Sequence, residues 1–292
     1  ISAEDIARYP AREIPDILRH YAGVSVRQNT NGDYSVGIRG YNQPGAERLL
    51  VLVNGRQVYE DYYGLVSWDN IPVELSEIRQ IEIVRGPNTA LFGFNATSGV
   101  INIVTYNPLF DDVDLAEADV GLNGYKKATG VYTFQNDGVF GARLSVSGSE
   151  IDEDTNSYSP AESNILKGQD SARSINADVV LKLNDTMQMR FEGSTSDTEK
   201  NAFSAYYDGT RNEDTFTSLK ANLTADTDYG IIDATIYRNN ADAVFTVPNG
   251  RFGFKNSVIV AQLSDTFKLG TDHTFRIAGE FRDNSTDHAI GT

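Results

Sequence analysis

Apolar and polar residues alternate along most of the chain beyond residue 110. In the segments 140–146, 175–183 and 219–225 every second residue is apolar, and the residues between them are mostly polar or small. A period of two is the pattern of a strand that has one apolar and one polar face. We therefore predict about nine antiparallel strands between residues 114 and 286.

Turns and polar loops divide these strands in a regular way. Short turns are predicted at 136–138, 184–185, 228–230 and 270–272, and long polar loops near 152–170, 200–214 and 242–256. Short turns at one rim and long loops at the other are typical of outer-membrane barrels, and a water-soluble β-sandwich is the alternative that also alternates. Asp265 falls on the apolar face of the strand that contains Ile259 and Leu263, which predicts a bulge or the membrane edge there.

The first 108 residues follow another pattern, which predicts an α+β domain. A capping-box pattern at Ser2 and a proline at position 15 predict two short helices. Runs of β-branched and apolar residues predict strands at 24–26, 36–39, 49–53, 78–84 and 100–105. This part has nine arginines and no lysine, and the turn dipeptide Asn107-Pro108 follows its last strand. We place a domain boundary there, with domains at 1–108 and 109–292.

Three motifs of the first domain resemble one known family. They are VGIRGYNQPG at 36–45, RLLVLVNGRQVY at 48–59 and IRQIEIVRGPNTALFGFNATSGVINIVT at 78–105. In this order they resemble the plug domain of TonB-dependent outer-membrane transporters, over residues 14–106. The resemblance implies an α+β plug inside a transmembrane antiparallel β-barrel of roughly 22 strands. The chain would then hold the plug and less than half of the barrel, which is incomplete and could not insert alone.

Composition narrows the chemistry further. The formal charge of −16 argues against a nucleic-acid partner, which needs a clustered basic face. The sequence has no cysteine, its three histidines have no ligand-like spacing, and no P-loop or nucleophile-elbow motif occurs. We therefore expect no catalytic residue, no metal site, no cofactor and no enzyme activity.

The resemblance also suggests site residues. Plug apical loops form part of the substrate site in this family, and the candidates are polar and aromatic residues of two such loops, Tyr41, Asn42, Gln43, Tyr59, Tyr62, Tyr63 and Trp68. These rings could instead pack the plug against the barrel. Arginines at the positions of Arg39 and Arg85 lock the plug to barrel carboxylates in the family. Glu192 and Glu280 are the candidates in this sequence, and carboxylates on further barrel strands are the alternative.

The function expected from the resemblance is TonB-dependent uptake of a scarce large nutrient, most of all a ferric siderophore. Cobalamin and oligosaccharides are the alternative nutrients, and a non-energised outer-membrane receptor or adhesin and a soluble two-domain binding protein are the alternative functions. The expected location is the outer membrane of a Gram-negative bacterium, in contact with lipid. The expected partner is TonB, through an N-terminal box upstream of Ile1.

Overall fold

The computed structural model describes residues 1–40, 48–60, 64–92, 96–153, 165–166, 168–203 and 209–291. In the described part of the N-terminal domain there are three short helices and six strands, which are α1 (Ala3–Ala7), α2 (Ile14–Leu18), β1 (Val24–Gln28), β2 (Tyr34–Ile38), β3 (Leu49–Val53), β4 (Arg56–Gln57), β5 (Ile78–Arg85), α3 (Thr89–Phe92) and β6 (Gly99–Thr105). Two single-turn 3-10 helices lie at Trp68–Asn70 and Leu75–Glu77. None of the helices within these ranges is both long and apolar enough to cross a bilayer.

The local sequence explains the start of this domain. The Ser2 hydroxyl accepts a hydrogen bond from the Asp5 amide, and the Asp5 carboxylate accepts one from the Ser2 amide, so the predicted capping box is present. Residues 1 and 2 then extend along the edge of β5, because the Ile1 ammonium donates to the Ile81 carbonyl and Ser2 bridges to Gln80.

The strands of the N-terminal domain form a hairpin, β1–β2, and a four-stranded sheet in the order β4-β3-β6-β5. The pair β3–β6 is parallel and the other pairs are antiparallel, so the four-stranded sheet is mixed. Alternate residues of β3 enter different clusters, since Val51 packs with the main core and Leu50 and Leu52 pack on the opposite face. The main core includes the fully buried residues Ile17, Leu18, Ile38, Ile78, Ile81, Ile101 and Ile103.

The described residues beyond 114 form one antiparallel sheet of nine strands in sequence order. Its strands are β7 (Leu115–Val120), β8 (Lys126–Asn136), β9 (Phe140–Asp152), β10 (Gln169–Lys182), β11 (Met187–Phe203), β12 (Gly209–Thr227), β13 (Gly230–Val247), β14 (Gly250–Leu269) and β15 (His273–Gly291). The predicted strand number is confirmed. β7 and β15 are the two edges, so the described strands do not close into a barrel.

The sheet turns its polar face to the N-terminal domain. On β9 the polar residues Arg143 and Ser145 are buried against that domain, whereas the alternating Leu144 and Val146 are exposed. The face of the sheet that carries Leu144 and Val146 also carries other large exposed apolar side chains, among them Tyr132, Phe134, Ile175, Phe191, Leu219, Ile236 and Leu263. The predicted alternation is therefore confirmed, with the apolar side pointing away from the N-terminal domain.

Two predicted loops are wrong. The region 242–256 is almost entirely strand, because β13 and β14 are joined by a turn of two residues. Likewise β11 and β12 extend through most of 200–214. These polar segments continue the backbone register of their strands. Exposed ion pairs lie along them, between Lys255 and Asp242 at 3.0 Å and, across the intervening β13, between Arg251 and Glu213 at 2.9 Å.

Asp265 does not sit in a bulge. The pairing of β14 with β13 and with β15 continues in unbroken register through this residue. Asp265 lies four residues before the end of β14 at Leu269, near one rim of the sheet.

Candidate functional site

The predicted ligand residues are only partly within the described structure. Tyr41, Asn42, Gln43, Tyr62 and Tyr63 lie outside the described residues. The prediction of an apical aromatic surface required the other two candidates to be exposed, but both are buried. Trp68 is 4% exposed and belongs to the main core, and Tyr59 is 9% exposed.

The position of Trp68 follows from the contact beside it. The next residue but one, Asn70, is held by the nine-stranded sheet: Ser196 donates to its carbonyl at 2.9 Å, and Thr198 donates to its side-chain oxygen at 2.7 Å. Because the 3-10 helix presents Asn70 to the sheet, the indole of Trp68 turns into the domain core.

Arg39 and Arg85 lie together at one end of the N-terminal domain, where both are exposed. Arg85 donates to the Ala22 carbonyl at 3.0 Å, and the Arg39 guanidinium lies beside Gly86. Neither arginine forms an ion pair with a carboxylate of the described strands.

The two carboxylates suggested as partners of these arginines bind other groups, so that assignment is wrong. Lys220 contacts Glu192 at 2.6 Å, and Gln262 donates to Glu280 at 2.7 Å. The register of the long antiparallel strands brings each carboxylate next to a residue of its own sheet.

Glu77 makes the most buried ion pair between the two parts of the described structure. Its carboxylate accepts from Arg143 Nε at 3.0 Å and from the Ser145 hydroxyl at 2.9 Å. The side chains of Glu77 and Arg143 are each 1% exposed. Arg143 also donates to the Tyr106 carbonyl at 2.7 Å. Burial raises the pKa of Glu77, and the adjacent Arg143 guanidinium opposes this rise.

Arg143 is the first member of a row of charges on the polar face of β9 to β12. We call this row the charge ladder, and its members are Arg143, Asp178, Arg190, Glu192 and Lys220. The register places Asp178 directly opposite both Arg143 and Glu192, and Glu192 directly opposite Lys220. Since two carboxylates facing each other repel, the position of Arg190 matters: it contacts Asp178 at 2.5 Å and Glu192 at 4.0 Å.

The N-terminal domain contacts three other members of the ladder, Arg190, Glu192 and Lys220, through neutral groups. The Thr105 hydroxyl accepts from Arg190 at 3.0 Å. Asn54 donates to Glu192 at 2.5 Å, and its carbonyl accepts from Lys220 at 2.6 Å. Asn54 is fixed for this contact because it has a positive φ of 49° and its side chain bonds both the amide and the hydroxyl of Thr105.

Two further ion pairs have the same polarity, with an acid on the N-terminal domain and a base on the sheet. Glu74 binds Lys127 at 2.6 Å, and Asp69 binds Lys200, with all four side chains largely buried. Next to the first pair, burial raises the pKa of Glu13 to about 8. The Lys127 ammonium lowers this pKa and the Glu74 carboxylate raises it further, and the effect of burial is the largest. Carboxylates of the N-terminal domain thus face cations of the sheet at three separate places.

A cavity of about 390 Å³ lies between α2, the segment that joins α1 to α2, the β1–β2 hairpin and strands β9 to β11. Its lining contains a stacked pair, Tyr9 and His20, and a guanidinium over a ring, Arg12 over Tyr125 at 4.2 Å. Carboxylates also line it, including Asp170. The mixture of both charges with aromatic rings does not select one class of ligand. Within the described ranges no three His, Asp or Glu side chains are arranged to hold a metal ion.

The sequence model of the family described as TonB-dependent Receptor Plug Domain matches residues 1–100. Residues 1–100 are therefore similar to the plug domain of TonB-dependent receptors, and the nine-stranded sheet follows them in the chain. Hereafter the N-terminal domain is the plug, and the nine-stranded sheet is the barrel wall.

Comparison with curated proteins and solved structures agrees with this assignment. The chain is 32% identical over 143 residues to the vitamin B12 transporter BtuB of Vibrio vulnificus, covering 48% of this chain and 23% of that protein. BtuB of Vibrio cholerae is 36% identical over 107 residues, covering 36% of this chain and 17% of that protein.

Among solved structures, the ferric enterobactin receptor PfeA of Pseudomonas aeruginosa, as a mutant, superposes with a TM-score of 0.73 at 18% identity, covering 98% of this chain and 48% of that one. The ferric yersiniabactin receptor FyuA of Yersinia pestis gives 0.71 at 15% identity, covering 99% and 49%. These likenesses extend the shared fold to the barrel wall. The chain spans about half the length of these structures and less than a quarter of the matched BtuB proteins.

Proposed function

We propose that this chain is the plug and the first barrel strands of a TonB-dependent transporter that takes up a large nutrient across the outer membrane. The observation that carries the proposal is the two-faced wall, which buries polar groups against the plug and exposes apolar side chains on its other face. That face suits lipid, and a plug held inside suits a lumen that opens only when the plug is moved.

The nutrient proposed is a ferric siderophore. It is supported by the fold shared with receptors named for ferric enterobactin and ferric yersiniabactin. Cobalamin is the second candidate, because the matched relatives with the higher identity are named vitamin B12 transporters. Tyr41, Asn42, Gln43, Tyr62 and Tyr63 remain the proposed contacts of the nutrient with the plug.

Growth on limiting nutrients tests the proposal. A strain that lacks the gene is supplied with single ferric siderophores, cobalamin or oligosaccharides as the limiting source, and is compared with its complemented parent and with a strain that lacks TonB. We expect one nutrient to require both this protein and TonB. Growth that is independent of the protein on every nutrient would overturn the proposal. Growth on one nutrient that requires this protein but not TonB would point to a non-energised receptor.

Substitutions on the plug test the proposed contacts. Tyr41→Ala and Tyr62→Ala should raise the nutrient concentration needed for half-maximal growth. Tyr229→Ala is the matched control, because this tyrosine is exposed in the turn between β12 and β13. Equal growth of all three variants would argue against a plug contribution to the binding site.

A further inference from the structure

At its Arg143 end the charge ladder has a counter-ion that belongs to the plug. Its five members carry three positive and two negative charges, since Arg143, Arg190 and Lys220 face Asp178 and Glu192. The ladder alone therefore has one excess positive charge. Glu77 of the plug supplies the sixth charge and makes the set neutral.

The excess charge falls on Arg143. Asp178 is 3.3 Å from Arg143 but makes two shorter contacts with Arg190, at 2.9 and 2.5 Å. Glu77 is therefore the main counter-ion of a guanidinium that is withdrawn from water. A buried charge that loses its partner keeps its desolvation penalty and gains nothing in return.

The other plug groups that are hydrogen-bonded to the ladder are uncharged. They are the Tyr106 carbonyl at Arg143, the Thr105 hydroxyl at Arg190, and the side chain and carbonyl of Asn54 at Glu192 and Lys220. Each of these contacts orients the plug, and none of them alters the charge balance. Among the described plug groups bonded to the ladder, Glu77 is the charged one, and the buried Arg56 of the plug is in addition an electrostatic neighbour of Glu192.

We propose that Glu77 is the positioning residue that keeps the plug sealed against the barrel wall. The inference deepens the proposed function, because it rests on a plug that closes a lumen. Moving Glu77 away from the wall leaves the ladder with an unbalanced buried charge, so the closed position is favoured over partial displacement. Glu77 directly precedes β5, which transmits this restraint to the plug sheet.

Passive leakage tests the seal without any ligand or energy source. The complete receptor is expressed in cells that lack TonB, and entry of a large hydrophilic antibiotic that the intact outer membrane excludes is measured. For Glu77→Gln we expect entry to rise by about tenfold or more, because the neutral amide leaves Arg143 unbalanced. Glu82→Gln is the matched control: Glu82 is an exposed carboxylate on β5 that contacts only Gln80 and Asn102 among the described residues.

A second substitution separates positioning from general damage. Arg143→Gln alone should also leak, because it strands the buried carboxylate of Glu77. The double variant Glu77→Gln with Arg143→Gln leaves a neutral ladder of four charges, and we expect it to restore most of the seal. If Glu77→Gln does not reach the membrane, Arg143→Gln and the double variant decide the question. A tight Glu77→Gln variant, or a double variant that leaks as much as the worse single one, would overturn the proposal.

Deletion of residues 1–106 separates this inference from the proposed function. A receptor without the plug that still excludes the antibiotic would show that the plug closes no lumen, and the proposed function would fail. If the plug-deleted receptor admits the antibiotic and the Glu77→Gln variant excludes it, the proposed transporter function stands and only the role of Glu77 is rejected.

Discussion

Substitution of Lys200 measures how much one buried ion pair contributes to holding the plug against the wall. Its ammonium binds Asp69, and the two side chains are only 6% and 9% exposed. Asp33 of the plug and Asp214 of the wall are further electrostatic neighbours, so one cation faces three carboxylates. Its aliphatic chain also passes close to Gly32 at the tip of the β1–β2 hairpin.

The substitution Lys200→Met keeps most of the side-chain volume and removes the charge. Removing one partner of a buried ion pair costs about 3–5 kcal/mol. We take the lower end, about 3 kcal/mol, because the small exposed fraction of Asp69 lets water replace part of the lost contact. This value corresponds to more than about a hundredfold increase in the equilibrium for local opening of the plug beside the wall.

Hydrogen exchange of peptides that cover residues 64–78 in the purified receptor measures this opening. Lys255→Met is the control, since Lys255 pairs with Asp242 at 3.0 Å but the two side chains are 72% and 49% exposed. An exposed pair contributes at most about 1 kcal/mol. The double variant Lys200→Met with Asp69→Asn should recover part of the protection, because it removes one of the carboxylates left without a cation. Exchange in Lys200→Met that matches the Lys255→Met control would refute the reasoning.

Three other predictions follow from single residues of the plug. The Glu13 carboxyl, with its pKa raised from 4.5 to about 8, binds a proton in the folded state that the unfolded chain has released, so stability falls as pH rises across this range. Glu13→Gln should therefore melt a few degrees above the parent at pH 8.5 and with it at pH 5, and a difference independent of pH would contradict this. Arg39→Ala and Arg85→Ala should loosen the plug, so unchanged protease resistance and uptake in both would count against the lock. Gly99→Ala should destabilise the plug by about 1–3 kcal/mol in denaturant unfolding, because the added Cβ would lie 2.7 Å from Ile38, whereas an unchanged midpoint would show that the core relaxes freely.

Much of the fold could be predicted because its signals are local. A β-branched run such as 100–105 favours a strand whatever surrounds it, and β6 is found there. The alternation around Leu144 identified the outward face of β9, since a period of two separates the two faces of a strand. The prediction of loops at 200–214 and 242–256 is wrong because strands made mostly of polar residues show no apolar alternation from which they could be recognised.

The contact between plug and wall could not be predicted in the same way. Glu77 and Arg143 are 66 residues apart, and no local pattern relates them. A partial signal was present, because Arg143, Asp178 and Lys220 all fall on the polar faces of predicted strands. Turning that signal into the ladder requires the register of β9 to β12, which depends on where each turn begins and not on composition.

In three ion pairs between the plug and the wall, the plug supplies the carboxylate and the wall supplies the cation, which is the reverse of the predicted arginine lock. Toward strands β8 to β11 the plug presents the carboxylates of Asp69, Glu74 and Glu77 to cations, whereas Arg39 and Arg85 project where no described strand meets them with a carboxylate. Rotation of the plug would move these carboxylates away from their cations on the wall, which costs free energy at each contact. The proposed lock at the two arginines would then act with Glu77 and not in its place. If so, combining Arg85→Ala with Glu77→Gln should loosen the plug by about the sum of the two single effects, because the sites share no partner.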